Sequence, residues 1–223
     1  MHSERCTVSV ADWALLDDLE PNAADLIRAA MRPKKYRRSE VLFWEGDPGS
    51  SLHLVTSGAV LAEGSTLDGD IIAYSVTGPG EVMGEMALLH DNEVRSATAR
   101  AIGGPATTLE LPRRNLLRMR DEHPAVDRFL VAVLDQRVRR LSNLLIEFRH
   151  LSAHDRVRTR LVELVDTFGV NIPLSQERLA SMTFTTRPTV NEVLQELRSD
   201  GIIDLGRQKI IVIDQSQLAP SGG

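Results

Sequence analysis

The chain has 223 residues, 42% of them hydrophobic and 26% charged, and a formal net charge of -5. That length holds two small folded domains, and the composition is that of a globular protein. The acidic balance excludes a protein that grips nucleic acid over its whole surface, so any such contact has to come from a local patch.

One cysteine, Cys6, excludes a disulfide framework and a thiolate-ligated iron–sulfur cluster within a single chain. No apolar run approaches the roughly 20 residues that span a bilayer. Met1-His2-Ser3-Glu4-Arg5 lack the apolar stretch of a secretory signal, so a cytoplasmic location is expected. Residues 11–31 carry apolar side chains at helical spacing, Leu15, Leu16, Leu19, Leu26 and Ile27 among them, interrupted by Pro21-Asn22.

Between residues 36 and 112 the pattern changes. Short apolar runs at 40–44, 51–55, 59–62, 71–76, 96–101 and 106–111 read as strands. Glu45-Gly46-Asp47-Pro48-Gly49, Ser57-Gly58, Asp68-Gly69-Asp70 and Gly78-Pro79-Gly80 read as turns between them. Strands this short with regular turns predict an all-β barrel or sandwich. Between two of them lies Gly84-Glu85-Met86-Ala87-Leu88-Leu89, followed by Arg95-Ser96-Ala97. This cassette is expected on a turn or short helix facing inward. A carboxylate can accept from a ribose 2′-hydroxyl, and a guanidinium with exposed backbone N–H groups can hold one phosphate anion. Glycine lets the backbone approach a ligand without a Cβ clash. The set suits a cyclic nucleotide, although the spacing alone also describes a surface turn with a solvated Glu and Arg.

After His123-Pro124, Val131, Leu134, Val138, Leu141, Leu145 and Phe148 recur at intervals of three and four. The narrow seam, roughly three heptads long, predicts a dimerisation helix over 124–150; a helix buried within one chain would show a wider stripe. Leu130 and Leu144 widen one edge, which is expected to cover the barrel. Leu151-Ser152-Ala153-His154 is the expected hinge. Residues 156–168 are amphipathic and end at Gly169. A short helix capped by Ser175, the turn Thr183-Phe184-Thr185, and a second helix over 186–197 follow. Thr185 or Thr186 caps the second helix, and Pro188 is tolerated in its first turn. Ile202-Ile203-Asp204-Leu205 and Ile210-Ile211-Val212-Ile213 flank a hairpin turn, completing the order of a winged helix-turn-helix. The tail from Gln215 is polar. His53, His90 and His123 are dispersed, with no Ser/His/Asp or metal-ligand spacing, so no enzyme is expected.

Taken together the chain resembles the CRP/FNR family of bacterial transcription regulators over nearly its full length. The resemblance rests on Glu45-Gly46-Asp47-Pro48-Gly49, Val55-Thr56-Ser57-Gly58, Gly84-Glu85, Arg95-Ser96-Ala97, Arg139-Arg140 on the long helix, and Gln176-Glu177 ahead of Arg187-Pro188-Thr189-Val190. It implies an α+β fold in three parts. An N-terminal cyclic-nucleotide-binding β-barrel of the double-stranded β-helix or jelly-roll type occupies 1–122. A dimerisation helix and hinge occupy 123–152, and a C-terminal winged helix-turn-helix occupies 153–223. It implies a homodimeric DNA-binding regulator with cyclic AMP as allosteric ligand and without metal, haem or iron–sulfur cluster. Double-stranded DNA and a second copy through helix 124–150 are the implied partners, with RNA polymerase a further candidate and no membrane. A constitutive or differently liganded regulator with a degenerate pocket is the alternative.

By the same resemblance the ligand site comprises Gly84, Glu85, Met86, Arg95, Ser96, Leu141 and Ser142. Glu85 would take the ribose hydroxyl and Arg95 the cyclic phosphate, with Gly84 and Ser96 completing the contacts. Two polar residues that reach adenine in cyclic-AMP-binding relatives correspond here to Leu141 and Ser142. Leucine forfeits one hydrogen bond, on the order of 0.5–1.5 kcal/mol. The family's Arg, Glu and Arg that read DNA correspond to Arg187, Pro188 and Glu192. Gln176, Thr186, Thr189 and Asn191 complete the expected DNA-contacting set, and Arg178, Arg207 and Lys209 are candidate phosphate contacts. Arg187 suits guanine and Glu192 a cytosine amino group. Phe184 stands where the turn usually has glycine.

Overall fold

The computed structural model describes residues 13–16, 19–66, 68, 71–88 and 93–219. Cys6 and the rest of 1–12, Asp17-Asp18, Leu67, Gly69-Asp70, residues 89–92 with Leu89 and His90, and residues 220–223 lie outside the described residues, so the turn expected at Asp68-Gly69-Asp70 is described only at Asp68. Two compact units result. One comprises Thr77–Ser142 with the described part of Glu4–Val60. The other comprises Leu61–Val76 with the described part of Asn143–Gly223.

In the first unit a single 3-10 turn, Ala14–Leu16, precedes helix α1, Pro21–Ala30. Pro21-Asn22, which reads as an interruption, is instead a helix start: proline at the first helical position presets φ and gives up an N–H that has no partner there. Strands β1 (Arg32–Tyr36) and β2 (Val41–Phe43) pair antiparallel with β6 (Thr98–Pro112), and β5 (Val82–Met83) pairs antiparallel with β3 (Ser51–Ser65). The sheet path is β1-β6-β3-β4, with β4 at Ile71–Thr77.

Four expected strands are in fact two. β3 runs unbroken through Ser57-Gly58, and β6 through Gly103-Gly104. Gly58 has φ +73°, and a Cβ there would collide with the Pro105 carbonyl and come within 2.8 Å of Ala106 Cα. Glycine here permits close passage of β3 over β6 instead of a turn. β1 escapes the sequence pattern because Arg32, Lys34 and Lys35 replace apolar alternation, as suits an edge strand.

One core gathers Trp13, Leu16, Ile27, Leu52, Leu54, Leu111, Leu116 and Phe129, with Trp13 edge-on to Phe129 at 5.3 Å. Helix α2, Arg113–Glu122, adds Leu116 and Met119; its many arginines hide it from periodicity. Helix α3 is Ala125–His150. Its first half buries Val126, Phe129, Leu130 and Val133, so Leu130 does face the core. Further along, Val138, Leu141, Leu145, Ile146 and Phe148 are exposed.

In the second unit Ser152 caps helix α4 (Ala153–Phe168), its hydroxyl accepting from Asp155 N, so the break between α3 and α4 is narrower than the expected hinge. Gly169 ends α4 at φ +68°. Ser175 caps α5 (Gln176–Met182), and Thr186 caps α6 (Arg187–Ser199) by accepting from Thr189 N. Val190, Val193, Leu194 and Leu197 bury one face of α6. Strands β8 (Ile203–Gly206) and β9 (Lys209–Val212) form the wing around Arg207-Gln208, and β7 (Asn171–Ile172) pairs with β9.

The turn before α6 keeps left-handed geometry without glycine. Phe184 sits at φ +50°, a conformation costing a non-glycine residue roughly 1–2 kcal/mol. Arg156 offsets this by donating to Thr183 O (2.9 Å), Phe184 O (3.1 Å) and Leu151 O (3.0 Å). The Phe148 ring packs edge-on to Phe184 at 5.8 Å.

Candidate functional site

Backbone around Arg95 is held by the turn at 45–49. Arg95 N donates to Asp47 O (2.8 Å), Gly46 N to Arg95 O (2.9 Å), and Gly49 N to Glu93 O (3.0 Å). Asp47 fixes that turn by accepting from Trp44 N at 2.8 Å. The motif therefore scaffolds the arginine. Arg95 itself is 3% exposed. Its Nη1 donates to Gly84 O (3.0 Å), its Nη2 to Ser51 Oγ (3.2 Å), and its guanidinium lies 4.1 Å from the Phe43 ring centroid. Gly84 has φ +82°, and a Cβ there would collide with Arg95 Nη1 and sit 3.1 Å from Ser51 O.

Arg95 Nε is buried and has no partner among the described residues. Of the five N–H donors a guanidinium carries, Gly84 O and Ser51 Oγ take two, which leaves three, Nε–H among them. Burial pulls the Arg95 pKa below its ordinary value, while Asp47 and Glu85 act in the opposite direction. Glu85 is also buried. Gly84, Glu85 and Arg95 are thus brought together, with a 3-10 turn, Met86–Leu88, next to them. Met86 and Ser96 are exposed. A buried guanidinium near a buried carboxylate and a glycine with no room for Cβ has the chemistry to take a small phosphate ester of a sugar.

Helix α3 contributes ion pairs that sequence reasoning did not foresee, one of them through Arg140 of the Arg139-Arg140 pair. Arg137 Nε stands 3.9 Å from Glu85 Oε1, and Arg140 Nη1 stands 3.0 Å from Glu81 Oε1. Leu141 and Ser142, one helical turn beyond Arg137, are exposed. The available signal was spacing: Arg137 precedes Leu141 by four residues and so shares its side of the helix.

On the second unit, Thr186, Arg187, Pro188, Asn191 and Glu192 are exposed along α6, and Thr189 is half-buried. Gln176 Nε2 donates to Asn191 Oδ1 at 3.2 Å, joining α5 to α6. His154 lies 3.7 Å from both Glu192 and Glu196. Arg207 and Lys209 are exposed at the wing. Arg178 differs from expectation: its Nε and Nη2 both lie 2.8 Å from Glu63 Oε1, and Glu63 is buried. It is engaged in an ion pair instead of presented to phosphate.

A β domain with a buried arginine beside a carboxylate, a long helix and a winged helix-turn-helix are the parts of a DNA-binding regulator with a ligand domain. Residues 33–123 match the model of the cyclic nucleotide-binding domain, and residues 139–220 that of the Crp-like helix-turn-helix domain. The cyclic AMP receptor protein of Thermus thermophilus is 33% identical over 193 residues, covering 86% of this chain and 88% of that protein. A CRP-like cAMP-activated global transcriptional regulator of Mycobacterium tuberculosis is 27% identical over 218 residues, 94% of this chain and 96% of that one. The crystal structure of the Thermus thermophilus catabolite activator protein superposes with a TM-score of 0.51 at 32% identity, covering 92% of this chain and 95% of that one. The chain belongs to the CRP/FNR family of DNA-binding transcription regulators.

Proposed function

We propose that this chain is a homodimeric transcription regulator whose affinity for DNA is set by cyclic AMP bound at Gly84, Glu85, Met86, Arg95, Ser96, Leu141 and Ser142. The observation that carries this is the buried Arg95 guanidinium, held on the Gly84 carbonyl and near the buried Glu85 carboxylate. Relatives described as a cyclic AMP receptor protein and a cAMP-activated regulator support the choice of nucleotide. Residues 1–122 form the sensor, 123–152 the dimer helix and hinge, and 153–223 the DNA reader.

The nucleotide supplies one phosphate anion, a ribose hydroxyl and a base. Arg95 holds the anion through its guanidinium, already oriented by Gly84 and Ser51. Glu85 accepts from the ribose hydroxyl, in competition with its long ion pair to Arg137. Arg137 belongs to α3, so a change at Glu85 is felt on the dimer helix. A difference in ligand affinity between two arrangements of that helix shifts the population competent for DNA. The exposed seam of Val138, Leu141, Leu145 and Phe148 is the surface that pairs with a second copy. Thr186, Arg187, Pro188, Thr189, Asn191 and Glu192 then face the major groove, with Gln176 bracing Asn191. RNA polymerase is the partner through which such a regulator acts on transcription. No catalytic role is assigned.

Isothermal titration with cyclic AMP and cyclic GMP, with Arg95→Ala as control, tests this reading. Saturable cyclic AMP binding by the parent chain, lost in Arg95→Ala, is expected. Absence of heat and of any melting shift at high micromolar nucleotide would sink it. Leu141, apolar at an expected base contact, favours the second reading of a regulator indifferent to nucleotide; DNA affinity unchanged by either nucleotide selects that.

A further inference from the structure

Behind Arg95 runs a buried polar chain with no part in the contacts assigned to the ligand. Ser51 and His53 lie two residues apart on β3, and Thr108 lies on β6. None of the three is more than 3% exposed. Arg95 Nη2 donates to Ser51 Oγ at 3.2 Å, Ser51 Oγ is 3.0 Å from His53 Nε2, and His53 Nδ1 is 3.2 Å from Thr108 Oγ1. The Phe43 ring lies 4.1 Å from the Arg95 guanidinium and 5.8 Å from the His53 ring.

The direction of the protons is set from the Arg95 end. A guanidinium only donates, so the buried Ser51 oxygen accepts from Arg95, and its own hydroxyl proton has His53 Nε2 at 3.0 Å to go to. His53 then carries its proton on Nδ1, 3.2 Å from Thr108 Oγ1, which can accept it. Burial, then Arg95 and Lys34, hold the His53 pKa down to about 4 against the opposing pull of Glu110. A neutral imidazole with a proton on Nδ1 has a bare Nε2, and the Ser51 hydroxyl proton goes there.

We propose that His53 is a positioning residue for nucleotide binding: as the Nδ1–H tautomer it takes the Ser51 proton, turns the Ser51 oxygen toward Arg95, and so holds the Arg95 guanidinium in the orientation that meets the phosphate of a cyclic nucleotide. The inference rests on Arg95 as the anion-holding group. His53→Phe keeps the ring and removes both hydrogen bonds, leaving the Ser51 hydroxyl free to rotate.

The test is calorimetry of cyclic AMP with the full chain, His53→Phe, Ser51→Ala and the double variant. Each single change is expected to weaken binding about tenfold, the double variant no more than either alone, because both act through one contact. A role confined to folding would not produce that saturation. If the parent chain binds neither cyclic AMP nor cyclic GMP, the ligand reading fails and the proposal with it. If the parent binds and His53→Phe binds within twofold of it, or the two losses multiply, the proposal alone fails. Histidine 15N spectra of the parent chain need no variant to fold. They are expected to show one imidazole with protonated Nδ1 and bare Nε2 that does not titrate between about pH 5.5 and 8. An Nε2–H tautomer, or ordinary titration of all imidazoles, overturns it.

Discussion

Gly84 and Arg95 depend on each other. The guanidinium occupies the space a Cβ at position 84 would need, and the backbone there is left-handed. Gly84→Ala therefore displaces Arg95 and strains the turn. Nucleotide affinity is expected to fall tenfold or more, equivalent to about 1.4 kcal/mol or more, while the melting temperature of the DNA-reading unit stays put. Titration calorimetry with a thermal melt checks both. His53 ties stability to acidity. Its folded pKa, about 4, lies below the ordinary 6.5 of the unfolded chain. The unfolded state therefore binds more protons between those values, and stability is lost as pH falls from about 6.5 toward 4. The contribution is on the order of 3 kcal/mol across that window. Urea melts at intervals of pH check it: the parent minus His53→Phe difference should carry this slope, and no slope between pH 7 and 8.

At the scale of elements, α3 does two jobs with one sequence. Its first half buries Phe129, Leu130 and Val133, whereas its second leaves Val138 and Leu145 at 60% and 69% exposure. A carboxylate in that seam cannot be desolvated cheaply against an apolar partner. Leu145→Glu is expected to turn a dimer into a monomer by analytical ultracentrifugation, with the sensor unit still folded. The turn ahead of α6 depends on Arg156, whose three carbonyl contacts replace what glycine would provide. Arg156→Ala is expected to destabilise the DNA-reading unit by about 1–3 kcal/mol, read as a lower melting temperature, since it leaves three carbonyls unpaired. Element by element, the helices with clean apolar periodicity and oxygen caps (α4, α5, α6) were legible, because their signals are local. β1 and α2 were not, because arginine and lysine fill their outward faces and periodicity sees only the remainder. Gly58 misled in the other direction: a glycine kinked within a strand and a glycine in a turn look alike until the neighbouring strand is present.

For the whole molecule, a net charge of -5 means that long-range attraction does not hold it on DNA. Contact depends on local cations, and Arg178 is already paired with buried Glu63. Arg207→Ala at the wing is expected to weaken binding to all sequences alike and to lower the log–log salt slope by about one. Arg178→Ala should leave that slope unchanged; fluorescence anisotropy over a salt series distinguishes the two.

The order of modules, the paired Glu85 and Arg95, and the heptad seam were determined by sequence alone, because each is carried by residue type at fixed local spacing. Tertiary structure alone decided that Arg137 reaches Glu85, that Ser51 and His53 stand behind Arg95, and that Arg178 is engaged. The contacts of Arg95 with Ser51, Arg137 with Glu85 and Arg178 with Glu63 join residues 44, 52 and 115 positions apart in the chain, and hydrogen bonds and ion pairs across such separations depend on the packed backbone, of which local pattern holds no record.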